Sequence, residues 1–475
     1  MLPCVAGKAG RKVGGGAMAV DNKHPDYAAH MEEWLLMRET LRGVNAVKMA
    51  QTRYLPCPSG FLVQADGGVE MYRAYITRAR VPDILEPTLA GMVGVIHRNE
   101  VSIEMPAKME PLWENATVDN LPLESFHRRV TLELLLTGRY SILTDVSVER
   151  DLPYLAGYIT ETLINWDESR DFYVMDETGL IRTGFDWSEQ KQYRELVLDD
   201  GIYKQRVYMD SSAEEFIEVI PNRLGGGNLD TIPLVVSGPA DQSLEVRSPP
   251  LEGVSRGMIS MYQLDADYRW QLYMSGQETL FITGAETLPT SVGAAVVHGL
   301  PMGADAKYVS PSCKGIDAHR QAILDAREAA VAAGAALFDT PSGRESGDAL
   351  RLRYSAQTAT LTTIAQASGA ALEKALRYVA TFMGLNPEEV IVRPNLRFID
   401  STMTPADARQ LMEVWLGGGI SKLTLFENYQ RGEITSVERT FEQEEDLIAV
   451  DPVHEEPDEP NPQDLKPPKA AAGGA

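Results

Sequence analysis

The sequence is poor in the side chains from which metal sites and redox centres are built. Its 475 residues hold three cysteines, Cys4, Cys57 and Cys313, far apart and without metal-ligand spacing. Three cysteines cannot all pair within one chain, so a reducing compartment is expected and a structural zinc site is not. Seven histidines (His24, His30, His97, His127, His298, His319 and His454) are equally scattered. Zincin, phosphate-loop and C-x-x-C signatures are absent and no nucleophile elbow is expected, so neither cofactor nor enzymatic activity is expected. No run of about 20 apolar residues occurs, which excludes a spanning helix and gives no membrane partner. No stretch has the layout of a secretory signal. Basic residues are also in deficit: 44 Lys and Arg stand against 68 Asp and Glu, a formal net charge of -24. That balance argues against gripping nucleic acid through a basic surface, because phosphate neutralisation needs clustered cations.

What the chain does have is length and helical pattern. With 44% hydrophobic and 24% charged residues it can bury a sizeable core and has room for two or three domains. The strongest signal runs from Gly315 to Leu385. IDAHRQAILDAREAAVAAGAALF is Ala-rich and reads as one helix ending near Asp339. From about Glu345 to Met383, Leu350, Tyr354, Leu361, Ile364, Leu372, Leu376 and Val379 recur at helical spacing. At about 1.5 Å per residue that helix is on the order of 55 Å long, more than a compact core needs, and reads as a strut.

The remaining segments are less regular. Residues 1–24 read as a Gly-rich flexible leader, or as an extension upstream of a start at Met18. Residues 25–50 read as an amphipathic helix, followed by helical pattern interrupted around Pro82 and Pro87 and a short extended run from Val101 to Met105. LPLESFHRRVTLELLLTGRYSILTDV reads as a helix stopped by Gly138 and followed by a strand. Short β runs fill Tyr154 to Val236, with a hairpin turn at Asp199 to Gly201 and a turn, not a phosphate loop, at LGGGNLD. Pro249 to Gly276 is a further helix, with Leu251, Val254, Met258, Met261, Tyr262 and Tyr268 as its apolar stripe. After the long helix, VIVRPNLRFID reads as a strand and Thr404 to Ile434 as a packed αα-hairpin, with Thr404 as N-cap and Pro405 at the first helical position. The Pro-rich acidic tail, 442–475, is expected to be disordered.

Several of these stretches, taken in order, resemble the portal proteins of tailed bacteriophages. ARVPDILEPTLAGMVGVIHRNEVSIEMP is similar to the family's segment in which a helix ends in Gly and a short strand closes with Pro. LELLLTGRYSILTD, with Gly138, Arg139 and Asp145, is similar to its helix, Gly-Arg, strand, Asp element. IPLVV with PPLEGVSRGMISMYQLDADYR resembles the start of the portal stem, AKYVSPSCKGIDAHRQAILDAREAAVAAGAALFD the return from the clip, RESGDALRLRYSAQTATLTTIAQASGAALEKALRYVATFMG the long wing helix, and GGGISKLTLFENYQRG the helical carboxy-terminal part. The likeness spans roughly Tyr72 to Ile434.

The resemblance implies an α+β, portal-like fold: a wing over 25–248, a first stem helix over 249–276, a clip over 277–314, a second stem helix over 315–338, a tunnel loop over 339–347, the long wing helix and strand over 348–400, and crown helices over 401–441. It implies a virion protein at the capsid portal vertex, assembled in the host cytoplasm as a ring of, usually, twelve subunits. DNA would be packaged and ejected through its channel. Implied partners are the major capsid protein, the terminase large subunit, a head-tail adaptor and passing double-stranded DNA. Implied site residues are Asp339, Thr340, Pro341, Ser342, Gly343, Arg344 and Glu345 in the tunnel loop, Lys307, Tyr308 and Lys314 for clip docking, and Asp317, Arg320, Asp325, Arg327 and Glu328 on the channel wall. An acidic wall would repel phosphate within a Debye length of roughly 8 to 10 Å and keep the duplex mobile. The alternatives are a non-portal structural or adaptor protein of a virion, or an enzyme with an unrecognised carboxylate site.

Overall fold

A computed structural model of the chain describes residues 8–9, 19–61, 67–147, 150, 152–212, 215–276, 278–284, 302–309, 315–334, 347–396, 398, 405–432, 434–436 and 439–450. It divides into two units, Met1–Leu396 and Arg397–Ala475. The architecture is mixed helix and sheet, the α+β class expected from the sequence.

In the first unit the elements run β1 (Lys8–Ala9), α1 (Pro25–Leu41), α2 (Val44–Met49), α3 (Gly68–Arg78), α4 (Leu85–Ile96), β2 (Ser102–Glu104), α5 (Leu123–Thr137), β3 (Tyr140–Asp145), β4 (Tyr154–Ile159), β5 (Leu163–Trp166), β6 (Phe172–Asp176), β7 (Gly179–Thr183), β8 (Asp186–Gln190), β9 (Tyr193–Asp199), β10 (Ile202–Tyr208), β11 (Ile217–Val219), β12 (Leu234–Ser237), α6 (Glu252–Ser275), β13 (Thr279–Thr283), β14 (Asp305–Val309), α7 (Ile316–Gly334), α8 (Gly347–Phe382) and β15 (Ile391–Arg393). An antiparallel sheet of order β1-β11-β10-β9-β6-β5 stands beside a three-stranded sheet β12-β3-β4, and β2 pairs with β15 across almost the whole unit. The hairpin between β9 and β10 turns at Asp200 and Gly201, both at positive φ, as the Asp-Asp-Gly sequence predicts.

Where the structure departs from the sequence reading, local chemistry accounts for it. The helix expected over 25–50 breaks into α1 and α2 at Gly43, whose φ of 81° a side chain would resist. Pro87 does not interrupt α4; it lies in the first turn, where a missing N–H leaves no intrahelical bond unmade. The second stem helix, expected to reach 338, is described only as far as Gly334, and Leu350 and Tyr354 lie where side chains are not described. In α6 Tyr268 is half-buried while Ala266 packs inside.

The long α8 is only partly a strut. From Leu361 onward Ile364, Leu372, Leu376, Val379 and Phe382 are buried, between α5 and the β12-β3-β4 sheet. Each such aliphatic side chain contributes about 1.5–3 kcal/mol when fully buried. Hydrogen bonds hold α8 as well: Thr144 Oγ1 donates to the Ala375 carbonyl at 3.0 Å, and the Val392 N–H donates to the Glu373 side-chain carboxylate at 2.9 Å.

Between α4, α5 and α8 lie two buried histidines, His97 and His127, with ring centroids 4.8 Å apart. His97 Nε2 meets Thr131 Oγ1 at 2.8 Å and His127 Nε2 meets Ser368 Oγ at 3.2 Å. Burial pushes His97 down to about 4 and His127 to about 3, helped by Arg128 near His97 and by the rings' own proximity. Both are neutral in the fold but titrate near 6.5 when unfolded. Their contribution is therefore intact above about pH 6.5 and is lost on acidification toward 4, by about 1.4 kcal/mol per pH unit for each ring. Thermal melts between pH 7 and pH 5 should show His127→Gln losing less stability than the parent chain; equal losses would mean that the pair does not set the acid limb.

The second unit holds α9 (Pro405–Leu416), α10 (Lys422–Arg431) and α11 (Phe441–Val450). α9 and α10 form the expected αα-hairpin, with Ser421 capping α10 and Tyr429 OH donating to the Ala408 carbonyl at 3.3 Å. α11 is a correction, since the sequence reading takes residues from 442 as disordered. Thr440 and Gln443 form a reciprocal capping box, at 3.0 and 3.3 Å, and Lys422 pairs with Glu445 at 2.9 Å. The acidic residues of its first turn also favour the positive helix end. Residues 451–475 of the expected tail lie outside the described residues.

Candidate functional site: a close-packed helix pair and its hairpin

α6 and α7 pack antiparallel through small residues. A Cβ added at Gly257 would stand 2.5 Å from Ala330 Cβ, one at Gly253 3.0 Å from Ala333 Cβ, and one at Gly334 would overlap Val254 Cγ2. The seam continues to the other end of the pair, where Gln271 Nε2 meets His319 Nε2 at 2.9 Å. From residue 253 to 271 this is about 27 Å of contact at 1.5 Å per residue. The Ala-rich sequence of α7 thus has a packing role: alanine combines high helix propensity with the thinness that lets backbones approach. α6 is fixed to the rest of the unit by its contacts with α1 and α3, where Tyr262 and Ala266 are buried in one cluster with Leu36, Val47 and Tyr75. Thr40 Oγ1 also meets Ser255 Oγ at 2.9 Å.

That serine belongs to Gly253-Val254-Ser255-Arg256-Gly257, which spells G-x-S-x-G, a pattern the sequence reading counts as absent. The motif makes a nucleophile only on a sharp strand-to-helix turn that exposes the hydroxyl. Here it lies inside α6 with Ser255 fully buried, so its glycines serve the helix seam.

Asp317, Arg320, Asp325, Arg327 and Glu328, which the portal resemblance would assign to a channel wall, are all exposed on one face of α7. Gln321 Nε2 donates to Asp325 at 2.8 Å. Three acids and two bases leave one net negative charge on these five positions, so the strongly acidic face expected from the overall balance is not found on α7. β13 and β14 form an antiparallel hairpin, with Leu280 opposite Tyr308 and Phe281 opposite Lys307. Every residue of β14 is exposed; Tyr308 and Phe281 keep more than half of their surface, and Lys307 pairs with Asp305 at 3.2 Å. Lys314 and the loop from Asp339 to Glu345, with Thr340, Pro341, Ser342, Gly343 and Arg344, lie outside the described residues.

Gly138, Arg139 and Asp145, grouped by the sequence into one element, have structural roles. Gly138 ends α5 in the left-handed conformation at φ 71°, and Arg139 is buried with its guanidinium 4.0 Å over the Trp166 ring. Asp145 joins a buried network in which Arg194 bridges it, at 3.3 Å, to Glu177, at 2.8 Å. Among the described residues no group of His, Cys, Asp or Glu could hold a metal ion, and no helix is long and apolar enough to cross a membrane.

A family model described as "Domain of unknown function (DUF4055)" matches residues 250–383, the stretch from α6 through the hairpin and α7 to the end of α8. No curated protein matches the sequence. Similar solved structures include one titled "Virion of native gene transfer agent (GTA) particle", at 12% identity and a TM-score of 0.38, covering 75% of this chain and 91% of that one. Another is titled "Neck of native GTA particle computed with C12 symmetry", at 14% identity and a TM-score of 0.35, covering 72% of this chain and 89% of that one. A third, "Neck of empty GTA particle computed with C6 symmetry", has 14% identity, a TM-score of 0.38, and coverage of 72% and 88%.

Proposed function

We propose that the chain is a portal protein of a phage-like particle: one subunit of a closed ring at a single capsid vertex through which double-stranded DNA passes. The observation that carries this reading is the excursion between the two halves of the α+β unit. An antiparallel helix pair leaves it through α6, presents an exposed hairpin, and returns through α7 before α8 goes back into the core. The excursion has one thin, apolar seam and one charged outward face, and such an element is suited to stand beside copies of itself around an axis. Head-to-tail interfaces of this kind close into rings when the rotation permits.

In this reading α6 and α7 are the stem, β13 and β14 belong to the clip that meets the terminase large subunit and then a head-tail adaptor, and α9 and α10 are crown helices. The wing lies against the major capsid protein. The near-balanced charge on α7 suits a wall that neither holds nor strongly repels a duplex, because affinity for DNA grows with each phosphate neutralised. The reading gives the chain no reaction of its own. Electron microscopy and mass photometry of the purified protein should show closed rings, usually of twelve, with a channel wide enough for duplex DNA. Monomers or dimers alone, at every concentration and salt tried, would count against it.

A further inference from the structure

The β7–β8 hairpin buries almost nothing of itself. Every residue of its two strands is exposed except Gln190, which is half-buried. Gly184, at φ 66°, makes the two-residue turn between Thr183 and Asp186 that puts Phe185 at the tip. Phe185 is fully exposed, and Trp187 and Leu180 keep most of their surface. Hairpin turns are ordinarily filled from Gly, Asn and Asp, and a two-stranded hairpin that stands alone is marginal in water. An aromatic tip about 15 Å from its base, at 3.4 Å per residue, therefore calls for a surface to cover it.

A cleft of about 820 Å³ in the same unit offers that surface, between the β3–β4 corner, the base of the β7–β8 hairpin and strands β10 and β11. The volume is in the range that takes a drug-sized ligand and leaves room for two aromatic side chains. Its walls are aliphatic, with Leu152, Val207, Ile217, Ile220 and Leu224 among them, and Met209, Ile220 and Leu224 are exposed. The cations among its lining residues already have partners: Arg194 bridges Asp145 and Glu177, Arg150 donates to the Asn115 carbonyl, and Arg223 pairs with Asp230. What the cleft leaves uncovered is apolar. Gly179, Leu180, Ile181 and Gln190, at the hairpin's base, line it, whereas residues 182–189 do not, so the tip stands clear of its own cleft.

We propose that Phe185 and Trp187 of one copy of this chain insert into the cleft of the next copy. The occupant is a second copy because knob and hole are carried by one chain yet held apart within it, the arrangement that produces a head-to-tail contact between unlike surfaces. Two aromatic side chains bury about 150–250 Å² each, and with the matching area of the cleft one contact covers roughly 600–1,000 Å². A stable pair needs about 1,200–2,000 Å², so an isolated dimer is weak. In a closed ring every subunit gives one tip and receives another, and the contacts support one another. Closure rests on the ring reading; the contact between two copies does not.

The test places p-benzoylphenylalanine at position 185 of the full chain, mixes that chain with an isotope-labelled copy of the parent, and irradiates. Mass spectrometry should find the unlabelled tip joined to the labelled cleft, within residues 217–224 or 207–209. Phe185→Ala combined with Trp187→Ala should weaken self-association at least tenfold in sedimentation, and so should Leu224→Asp. All three positions are exposed, and circular dichroism checks that the variants keep the fold. Mixing the tip variant with the cleft variant should restore pairs and nothing larger, because one intact tip and one intact cleft remain. Cross-links confined to the unlabelled chain, cross-links outside the cleft, or unchanged association of either variant would overturn the contact. Rings that form without the cross-link would leave the ring reading standing and remove the hairpin from it. Cross-linked chains that never close would keep the contact and count against the ring.

Discussion

Replacing Arg194 by methionine should lower the unfolding free energy by about 3–5 kcal/mol, the cost typical of leaving a buried ionic group without its partner. Arg194 is 6% exposed and bridges the two carboxylates, at 3.3 Å from Asp145 and 2.8 Å from Glu177. Burial alone pushes the Asp145 carboxyl above its ordinary range, and Arg194 is the main opposing influence. Without it, Asp145 must either remain charged in a poorly solvated site or take up a proton, and its folded pKa stands further above its unfolded one. The penalty is complete at neutral pH and fades as pH falls toward about 4, where the unfolded chain also protonates. The deficit of Arg194→Met in urea denaturation should therefore shrink on acidification, and adding Asp145→Asn should recover part of it. A variant less than about 1 kcal/mol below the parent at pH 7 would show the network to be dispensable.

What the sequence revealed and what it hid divide along the kind of signal each feature leaves. The buried half of α8 was legible because Leu361, Ile364, Leu372, Leu376 and Val379 repeat at helical spacing, and a local period needs no tertiary knowledge. Gly138 as the end of α5 and Asp200-Gly201 as a hairpin turn were legible because few residues tolerate positive φ. The Arg194 network was not legible: Asp145, Glu177, Arg194 and Gln205 come from four places in the chain and meet only once strand pairing is fixed. The pairing of His97 with His127 was equally out of reach. Two features were present and overlooked. Thr440 and Gln443 have capping-box spacing, but the acidic composition around them outweighed it. Gly253 and Gly257 stand four apart on one helix face, and a search for apolar periodicity gives no weight to a residue without a side chain.

That last pair makes the sharpest test of the helix seam. Glycine to alanine inside a helix ordinarily stabilises, by up to about 1 kcal/mol, because it reduces the entropy lost on folding. Gly257→Ala should do the opposite. Its Cβ would lie 2.5 Å from Ala330 Cβ and 3.2 Å from Ala330 Cα, so relief requires one helix backbone to move, and overpacking of this kind costs about 1–3 kcal/mol. Gly257→Leu should cost more and part the two helices. Ala330→Gly, added to Gly257→Ala, removes the opposing methyl and should restore most of the loss, a coupling expected only for residues in direct contact. If α6 and α7 form the stem of a ring, the same variants carry a second signature, because a wall thickened at one level in every subunit alters the angle at which neighbours meet. Gly257→Leu should then yield fewer closed rings, or rings of altered subunit number, under conditions in which the double variant Gly257→Ala with Ala330→Gly assembles normally. Stabilisation by Gly257→Ala alone would refute the close seam. A destabilised Gly257→Leu that still closes into unaltered rings would leave the seam in place but remove α6 and α7 from the wall.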